Sequence, residues 1–384
     1  MSTLKVDTIS NNGTETDTPQ GFTIAGNSIV QAYTESANEP SAEPNEGDIW
    51  WDTTNSVVKR YISGVWRTIT TTAPPTSDFF GDRGVFLGDY SSNVGNAVND
   101  IDYIDITTTG NAVDFGDFTN GSGRYCQTCS SGSRILSTVF ESTATNTILY
   151  ITPSTPSNTS DFGDMTVTGI RGAAGDGSRG LFAGGSGTTY SDVIDYVTIA
   201  TTGNAVDFGD LSTGANPVGI SNATYAVFGL SMTKPSGVFT PVNNIERVTV
   251  QTLGNSTDFG DLTVTRYTFV TGCDTTRGCF AGGPTSTAVY SITNVIDYIT
   301  ISTPGNAIDF GDLTSNGRVR HGGTSNSTRC VVGGGYTVND ASTAYVFPVN
   351  DIEYWTTQTT GNSVNFGDLT SVRVYLGAGS GNAS

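Results

Sequence analysis

The tetrapeptide Asp-Phe-Gly-Asp, or a near variant, recurs six times, with its phenylalanine at Phe115, Phe162, Phe208, Phe259, Phe310 and Phe366 and intervals of 47, 46, 51, 51 and 56 residues. A period of this length marks one supersecondary unit, too small to bury its own apolar face, repeated along the chain. Three residues before each tetrapeptide stands an asparagine: Asn111, Asn158, Asn204, Asn255, Asn306 and Asn362. Eight residues before that comes Tyr103, Tyr150, Tyr196, Arg247, Tyr298 or Tyr354, inside an alternating β-branched run such as Val193 to Thr202. Alternation, then Gly-Asn, then more alternation reads as strand, turn, strand, because Gly and Asn accept the positive φ of hairpin turns.

About 25 residues earlier in most units stands a shorter strand ending in glycine, as at Arg179 to Gly185, Arg277 to Gly283 and Arg329 to Gly335. An extended stretch such as Thr263 to Gly272 lies between it and the preceding Phe-Gly-Asp. Four antiparallel strands in about 50 residues is one propeller blade. The repeat region opens at Arg83 on the second strand of a unit, and its missing first strand reappears after the sixth tetrapeptide. Residues 83–118 contribute 36 and residues 371–384 another 14, and the 50 together match one repeat. The expected fold is therefore all-β: a six-bladed β-propeller closed by the C-terminal strand, with Val372 to Leu376 lying beside Val85 to Leu87. Closure removes sheet edges that would otherwise invite aggregation. The six phenylalanines are expected to pack between neighbouring blades. The second aspartate of each tetrapeptide (Asp117, Asp164, Asp210, Asp261, Asp312, Asp368) is expected to accept backbone hydrogen bonds in the turn to the next blade. The Gly-Gly pairs are expected to end the inner strands, where blades crowd near the axis.

Three regions follow. Residues 1–30 form a polar segment with Leu4, Val6 and Ile9 as apolar anchors, residues 31–75 an acidic linker and a Trp-rich β-hairpin module, and residues 76–384 the propeller. A hairpin alone is marginal in water. Trp50, Trp51, Tyr61 and Trp66 are therefore expected to cluster around an Asp-Thr-Thr-Asn turn and to pack on a partner or on the propeller.

Charge excludes one class of function. The chain has 17 Lys and Arg against 36 Asp and Glu, a net charge of -19, and only three lysines, whereas a polyanion is held by clustered cations. No nucleic acid is expected as a partner. No run approaches the roughly 18 apolar residues of a membrane helix, and the first residues lack an apolar signal-peptide core, so no membrane insertion is expected. Five cysteines, an odd number, exclude a complete intrachain disulfide framework.

Catalytic chemistry finds little support. The Asp-Phe-Gly of protein kinases comes once, with a strand lysine and an His-Arg-Asp loop, and here it comes five times in full without either. The aspartate series lacks the alternating-Asp loop of dedicated calcium sites. Cys126 and Cys129 form Cys-x-x-Cys without a second pair to complete a zinc site. Cys273 and Cys279 fall in adjacent strands, and His321 is the chain's one histidine. Many aspartates on a six-bladed frame keep glycoside hydrolysis in view, but a sialidase needs an arginine cluster and a Ser-x-Asp-x-Gly-x-Thr-Trp repeat that is not found. The expectation is a protein that is not an enzyme, with no catalytic residue, no metal and no cofactor.

The repeat, written RGxFAGG…NVIDYVTIATTGNAxDFGDL, resembles the kelch-like repeats of structural proteins in marine tailed phages, particularly those of cyanobacteria. The opening MSTLKVDTI is similar to the N-terminal peptide of tail fibres in such phages, and GDIWWDTTNSVVKRYISGVW (residues 47–66) resembles a module of phage fibre and tail proteins. The second unit lacks Gly-Gly, and the fourth has Arg247 for tyrosine and reads AVFGL where others read FAGG. The resemblance implies a tail fibre-like virion protein, located in the virion tail, anchored through Leu4, Val6 and Ile9 and presenting a kelch-like propeller to the host. It implies other virion tail proteins and a host cell-surface glycan or protein as partners, and it admits a homotrimer. Irregular loops at Glu141 to Thr147, Ser231 to Thr240 and Tyr336 to Val349 are the expected contact surfaces. The alternative is a carbohydrate-binding or glycan-degrading propeller module.

Overall fold

A computed structural model describes residues 80–88, 99–119, 123–139, 145–186, 190–234, 238–267, 269–285, 291–314, 317–338 and 346–383, together with four short strands before residue 69. The chain forms two compact units, Met1–Pro74 and Pro75–Ser384. Among the described residues there is no helix.

In the first unit the strands Tyr33–Ser36, Ile49–Asp52, Val57–Ile62 and Val65–Thr68 form one sheet in chain order. The expected hairpin is present, with Asp52 opposite Val57, and Tyr61 meets Trp66 edge-on at 5.4 Å between ring centroids. The acidic linker, however, is not all linker. Tyr33–Ser36 pairs in parallel with Ile49–Asp52, so an isolated hairpin becomes a four-stranded sheet with more backbone hydrogen bonds satisfied. The side chains of Trp50 and Trp51, and residues Leu4, Val6 and Ile9, lie outside the described residues.

The second unit contains six antiparallel sheets with one plan, in a propeller-like arrangement. From innermost to outermost strand, the first is Gly377–Gly381, Arg83–Leu87, Asp100–Asp105, Val113–Asp117. The second is Thr128–Ser131, Arg134–Thr138, Thr147–Ile151, Ser160–Asp164, and the third is Ile170–Gly175, Arg179–Ser186, Val193–Thr198, Val206–Asp210. The fourth is Ala215–Ser221, Tyr225–Thr233, Asn244–Thr249, Thr257–Asp261, and the fifth is Val270–Cys273, Arg277–Ala281, Val295–Thr300, Ile308–Asp312. The sixth is Gly322–Ser325, Arg329–Gly333, Asp351–Thr356, Val364–Asp368.

The C-terminal strand joins the first sheet, but not in the expected register. Gly377 pairs with Leu87 and Gly381 with Arg83, so the paired segment is the five residues after Val372 to Leu376. Two crowding effects explain the shift. A Cβ at Gly377 would lie 2.5 Å from the Cys126 carbonyl and one at Gly379 2.9 Å from Ile135, so bulkier residues do not fit here. Arg373, meanwhile, is fully buried outside the ladder.

Neighbouring sheets share six buried clusters, one for each adjacent pair, and each cluster contains one tetrapeptide phenylalanine. Burying such a ring contributes roughly 1.5–3 kcal/mol. In five sheets the ring also meets the tyrosine of its own third strand edge-on, at 5.7–6.1 Å between centroids.

Hydrogen bonds repeat the same cycle. Each Gly-Asn or Ser-Asn turn clasps the preceding sheet: Asn158, Asn204, Asn255, Asn306, Asn362 and Asn111 accept the backbone N–H of Asp117, Asp164, Asp210, Asp261, Asp312 and Asp368 in turn. The second aspartate also accepts, as expected, a backbone hydrogen bond from the turn of the next sheet, and it does so through its main-chain carbonyl: Asp117, Asp164, Asp210, Asp261, Asp312 and Asp368 take the N–H of Thr159, Ala205, Ser256, Ala307, Ser363 and Ala112. The glycine before each of these aspartates is pressed on the same turn, where a Cβ would come within 2.2–2.5 Å of the neighbouring backbone, so no other residue fits. The Gly-Gly pairs end the second strands rather than the inner ones. Gly282, at φ 68°, lies against the Arg318 carbonyl and the His321 ring of the next sheet, where a side chain would clash.

A second clasp uses the third strand. Asp195 and Asp297 accept both the N–H and the hydroxyl of Thr166 and Thr263 from the preceding sheet; Glu246 does so with Ser212, and Asp102 with Thr370. Where the acid is aspartate, the residue ten positions on is Ala112, Ala205 or Ala307; where it is the longer glutamate, that residue is Ser256 or Ser363, which donates to it. In the second sheet Leu149 replaces the acid, and Thr159 receives the N–H of Thr119 instead.

Arginines complete the junctions. Arg83, Arg134, Arg179, Arg277 and Arg329 stack over Tyr103, Tyr150, Tyr196, Tyr298 and Tyr354 at 4.2–4.9 Å and donate to carbonyls of the next sheet. The fourth sheet has this pair transposed. Tyr225 occupies the arginine position, and Arg247 stacks on it at 4.4 Å while still reaching the Ser302 carbonyl. The departure at Arg247 is thus compensated. Arg247→Tyr alone should cost about 1 kcal/mol in chemical denaturation, and Tyr225→Arg with Arg247→Tyr should recover the wild-type value to within about 0.5 kcal/mol. A double variant as unstable as the single one would refute the transposition.

Glu353 carries a pH prediction. Burial raises its pKa, but Arg318, Ser363 and Thr314 together hold it below the ordinary 4.5. A depressed carboxyl contributes stability that is present above the unfolded value and lost as pH falls through the folded one. Thermal melts should therefore show stability falling below about pH 4.5. Glu353→Gln should flatten that acid limb while lowering stability at pH 7 by roughly 3–5 kcal/mol, because Arg318 is left buried without its counter-charge.

Candidate functional site

The inner strands surround a central cavity of about 140 Å³, lined by residues of all six sheets. Its two ends differ in kind. At the end bearing the Gly-Asn turns, Gly81 abuts Gly381, and Phe80 lines the cavity and packs against a cluster that includes Val218 and Ile220. The opposite end carries the connections between second and third strands. Of the three expected contact loops, residues 141–144, 235–237 and 339–345 lie outside the described residues. Within Ser231 to Thr240, the second strand of the fourth sheet runs on to Thr233 and pairs with Thr240–Pro241. In the sixth sheet Tyr336–Val338 and Val346–Pro348 form a small sheet with Arg318–Val319.

Three buried arginines position this end. Arg266, Arg318 and Arg373 each stand a few residues before an inner strand, and each is at most 1% exposed. They pair with Asp297 at 2.8 Å, Glu353 at 2.6 Å and Asp102, all on the third strand of their own sheet. Burial lowers the Arg266 pKa to about 10 and the Asp297 charge pulls it back up, so the guanidinium is charged at neutral pH. Each arginine also donates to the carbonyl that opens its third strand, from Val295, Asp351 or Asp100. These anchors fix where the following residues emerge at the cavity mouth.

What emerges is a strained cluster. Arg320, Tyr375 and Tyr125 sit just before the inner strands of the sixth, first and second sheets, with φ of 59°, 64° and 52°. Left-handed backbone costs a non-glycine residue about 1–2 kcal/mol. Side chains held at such cost cluster at functional sites. The three are chained together: the Tyr375 N–H donates to the Arg320 carbonyl at 2.7 Å, and the Tyr125 N–H to the Tyr375 carbonyl at 3.0 Å. The tyrosine rings meet at 4.3 Å between centroids, and the Arg320 guanidinium lies 4.5 Å over Tyr375 and 5.9 Å from Tyr336. Burial and a hydrogen bond with Tyr125 raise the Tyr375 pKa, against the pull of Arg320 and Arg124.

His321 follows Arg320 and is 2% exposed, with neither ring nitrogen in a hydrogen bond. Burial, then the Arg318 charge, hold its pKa well below the ordinary value, against the approach of the Ala281 backbone, which lies near the ring without the geometry of a full hydrogen bond, so the ring is neutral. It is wedged between Gly282 and Gly335, and no hydroxyl or carboxylate bonds it as a catalytic triad requires. None of the five cysteines is disulfide-bonded. Burial pushes Cys126 and Cys273 up to about 12 and Cys129 higher still, which suits small core residues rather than nucleophiles.

The sequence reading placed the six phenylalanines in the junctions but passed over Arg320, Tyr125 and Tyr375. A faint signal existed: arginine stands five residues after the second aspartate at Arg266 and Arg373 and six after it at Arg318, and Arg320 and Tyr375 each stand two residues after such an anchor.

No family model matches the chain, and no curated protein matches it. The solved structure of YjhT is similar, with a TM-score of 0.53 and 10% identity over 66% of this chain and 86% of that one. At that identity the likeness bears on the fold alone, and it agrees with a propeller-like, all-β architecture.

Proposed function

We propose that the six sheets are the blades of a closed, six-bladed kelch-like β-propeller with the C-terminal strand as its seam, and that the chain is a tail fibre-like virion protein. In this reading the N-terminus attaches to other tail proteins and the propeller contacts the host surface by binding rather than by catalysis. One observation carries it: the two ends of the cavity are built for different purposes. The Gly-Asn end repeats its clasp in all six junctions, as a scaffold must. At the other end strained Arg320, Tyr375 and Tyr125 stand at the cavity mouth, the connections between second and third strands include the longest in the sequence, and loops on a rigid frame usually carry recognition. The chemistry there suits holding a ligand, since the histidine is neutral and unpartnered and the thiols are raised by burial.

The same aromatic and cationic mouth also supports the carbohydrate-binding alternative, which differs from the first reading in partner rather than in scaffold. Immunogold labelling of purified particles should place the full chain on the tail, and particles assembled with a chain lacking residues 1–30 should carry none. A truncated chain retained on the particle overturns N-terminal attachment, and release of reducing sugar from host-surface polysaccharide overturns binding without catalysis.

A further inference from the structure

We infer that the cavity mouth binds the carboxylate-bearing end of a surface saccharide, with Arg320 as the residue that pairs with the carboxylate and Tyr375 and Tyr125 as the walls. The inference rests on the binding reading above and names the ligand class of that site.

Charge is the first support. The chain carries 36 Asp and Glu, yet among the described residues no carboxylate lines the cavity, and Arg320 is the one charged side chain that does. An acidic protein with a cationic hollow repels anions everywhere except there. The second is the state of that arginine. Arg266, Arg318 and Arg373 are each neutralised by a carboxylate of their own sheet, and Arg83, Arg134, Arg179, Arg277 and Arg329 are spent on carbonyls. Arg320 is half-buried, stacked on Tyr375, and has no carboxylate partner among the described residues. A guanidinium held flat by stacking presents the fork that a carboxylate occupies through two parallel hydrogen bonds.

The third support is backbone cost. At the Gly-Gly ends of the second strands, positive φ is met by glycine, as at Gly184, Gly282 and Gly334. At the mouth it is met by Arg320, Tyr375 and Tyr125, where glycine would be more stable. A side chain retained against that preference is retained for what it contacts. The fourth is size. About 140 Å³, with Phe80 lining the far end, receives the end of a ligand rather than its length. Tyrosine faces suit the apolar C–H face of a sugar ring, and hydroxyls at the rim suit its polar edge. His321 lines the same cavity with both nitrogens unpartnered and adds a neutral hydrogen-bonding group.

Isothermal titration of the full chain with D-glucuronate, with D-glucose as the uncharged control, tests this. Glucuronate should bind at least about tenfold more tightly than glucose, the margin of a charge-assisted hydrogen bond. Arg320→Gly and Arg320→Asn both accept left-handed backbone, so each should melt at or above the wild-type temperature while losing glucuronate affinity by at least about tenfold. Equal binding of the two sugars, absence of binding at millimolar glucuronate, undiminished binding by both variants, or a sharp fall in melting temperature in both would overturn the assignment. Labelled chain that still coats host cells without binding glucuronate would defeat this inference alone. Glucuronate binding by a chain missing from purified particles would defeat the virion reading alone.

Discussion

Every junction between neighbouring sheets in the Pro75–Ser384 unit depends on one contact, the seating of a Phe-Gly-Asp backbone on the Asn turn of the next sheet. The glycine permits the approach, the asparagine oxygen takes the following N–H, and the phenylalanine fills the space behind. Each element fails without the others, because a Cβ at the glycine would hold the turn away and leave the asparagine oxygen and the aspartate N–H unpaired. At these exposed positions the lost hydrogen bond costs about 0.5–1.5 kcal/mol, in addition to the ring burial that would also be disturbed. The motif therefore recurs as a block rather than as separate residues.

The junctions tolerate substitution where a neighbour supplies the missing group. Leu149 removes a carboxylate and Thr159 takes over its hydrogen bond. Glutamate replaces aspartate where a serine is placed to satisfy the longer side chain. Tyr225 and Arg247 exchange places and keep both the stacking and the bond to the next sheet. In each case the contact is preserved and the residue is not. A scaffold with this latitude on one face leaves the opposite face at liberty to vary, and there the connections lengthen and the backbone is strained.

The buried arginines link scaffold to site. A guanidinium sealed from water is costly unless its charge is matched, and Asp297, Glu353 and Asp102 match it while the strand-opening carbonyls take a further donor, with the Nε of each arginine left without a partner among the described residues. The chain between such an anchor and the next inner strand is short, so its backbone has little choice of path. The strain at Arg320 and Tyr375 follows from that confinement and holds both side chains at the cavity mouth.

The sequence by itself determined the repeat, the four-strand unit and the placement of the six phenylalanines, because a period of 46–56 residues and alternation along strands are local patterns. It also determined that the last residues belong with the first sheet, since a first strand was missing at one end and present at the other. Register was not legible. Val372 to Leu376 looks more like a strand than Gly377 to Gly381, and only crowding near the axis, felt between residues far apart in the chain, favours the glycines. The same holds for Tyr33–Ser36, whose composition reads as linker until a neighbouring strand edge captures it. Arg320 was invisible for a related reason. In the sequence it is one arginine among scattered arginines, and only the folded chain sets apart those matched by a carboxylate or a carbonyl from Arg320, which faces a cavity with no carboxylate among its described lining residues.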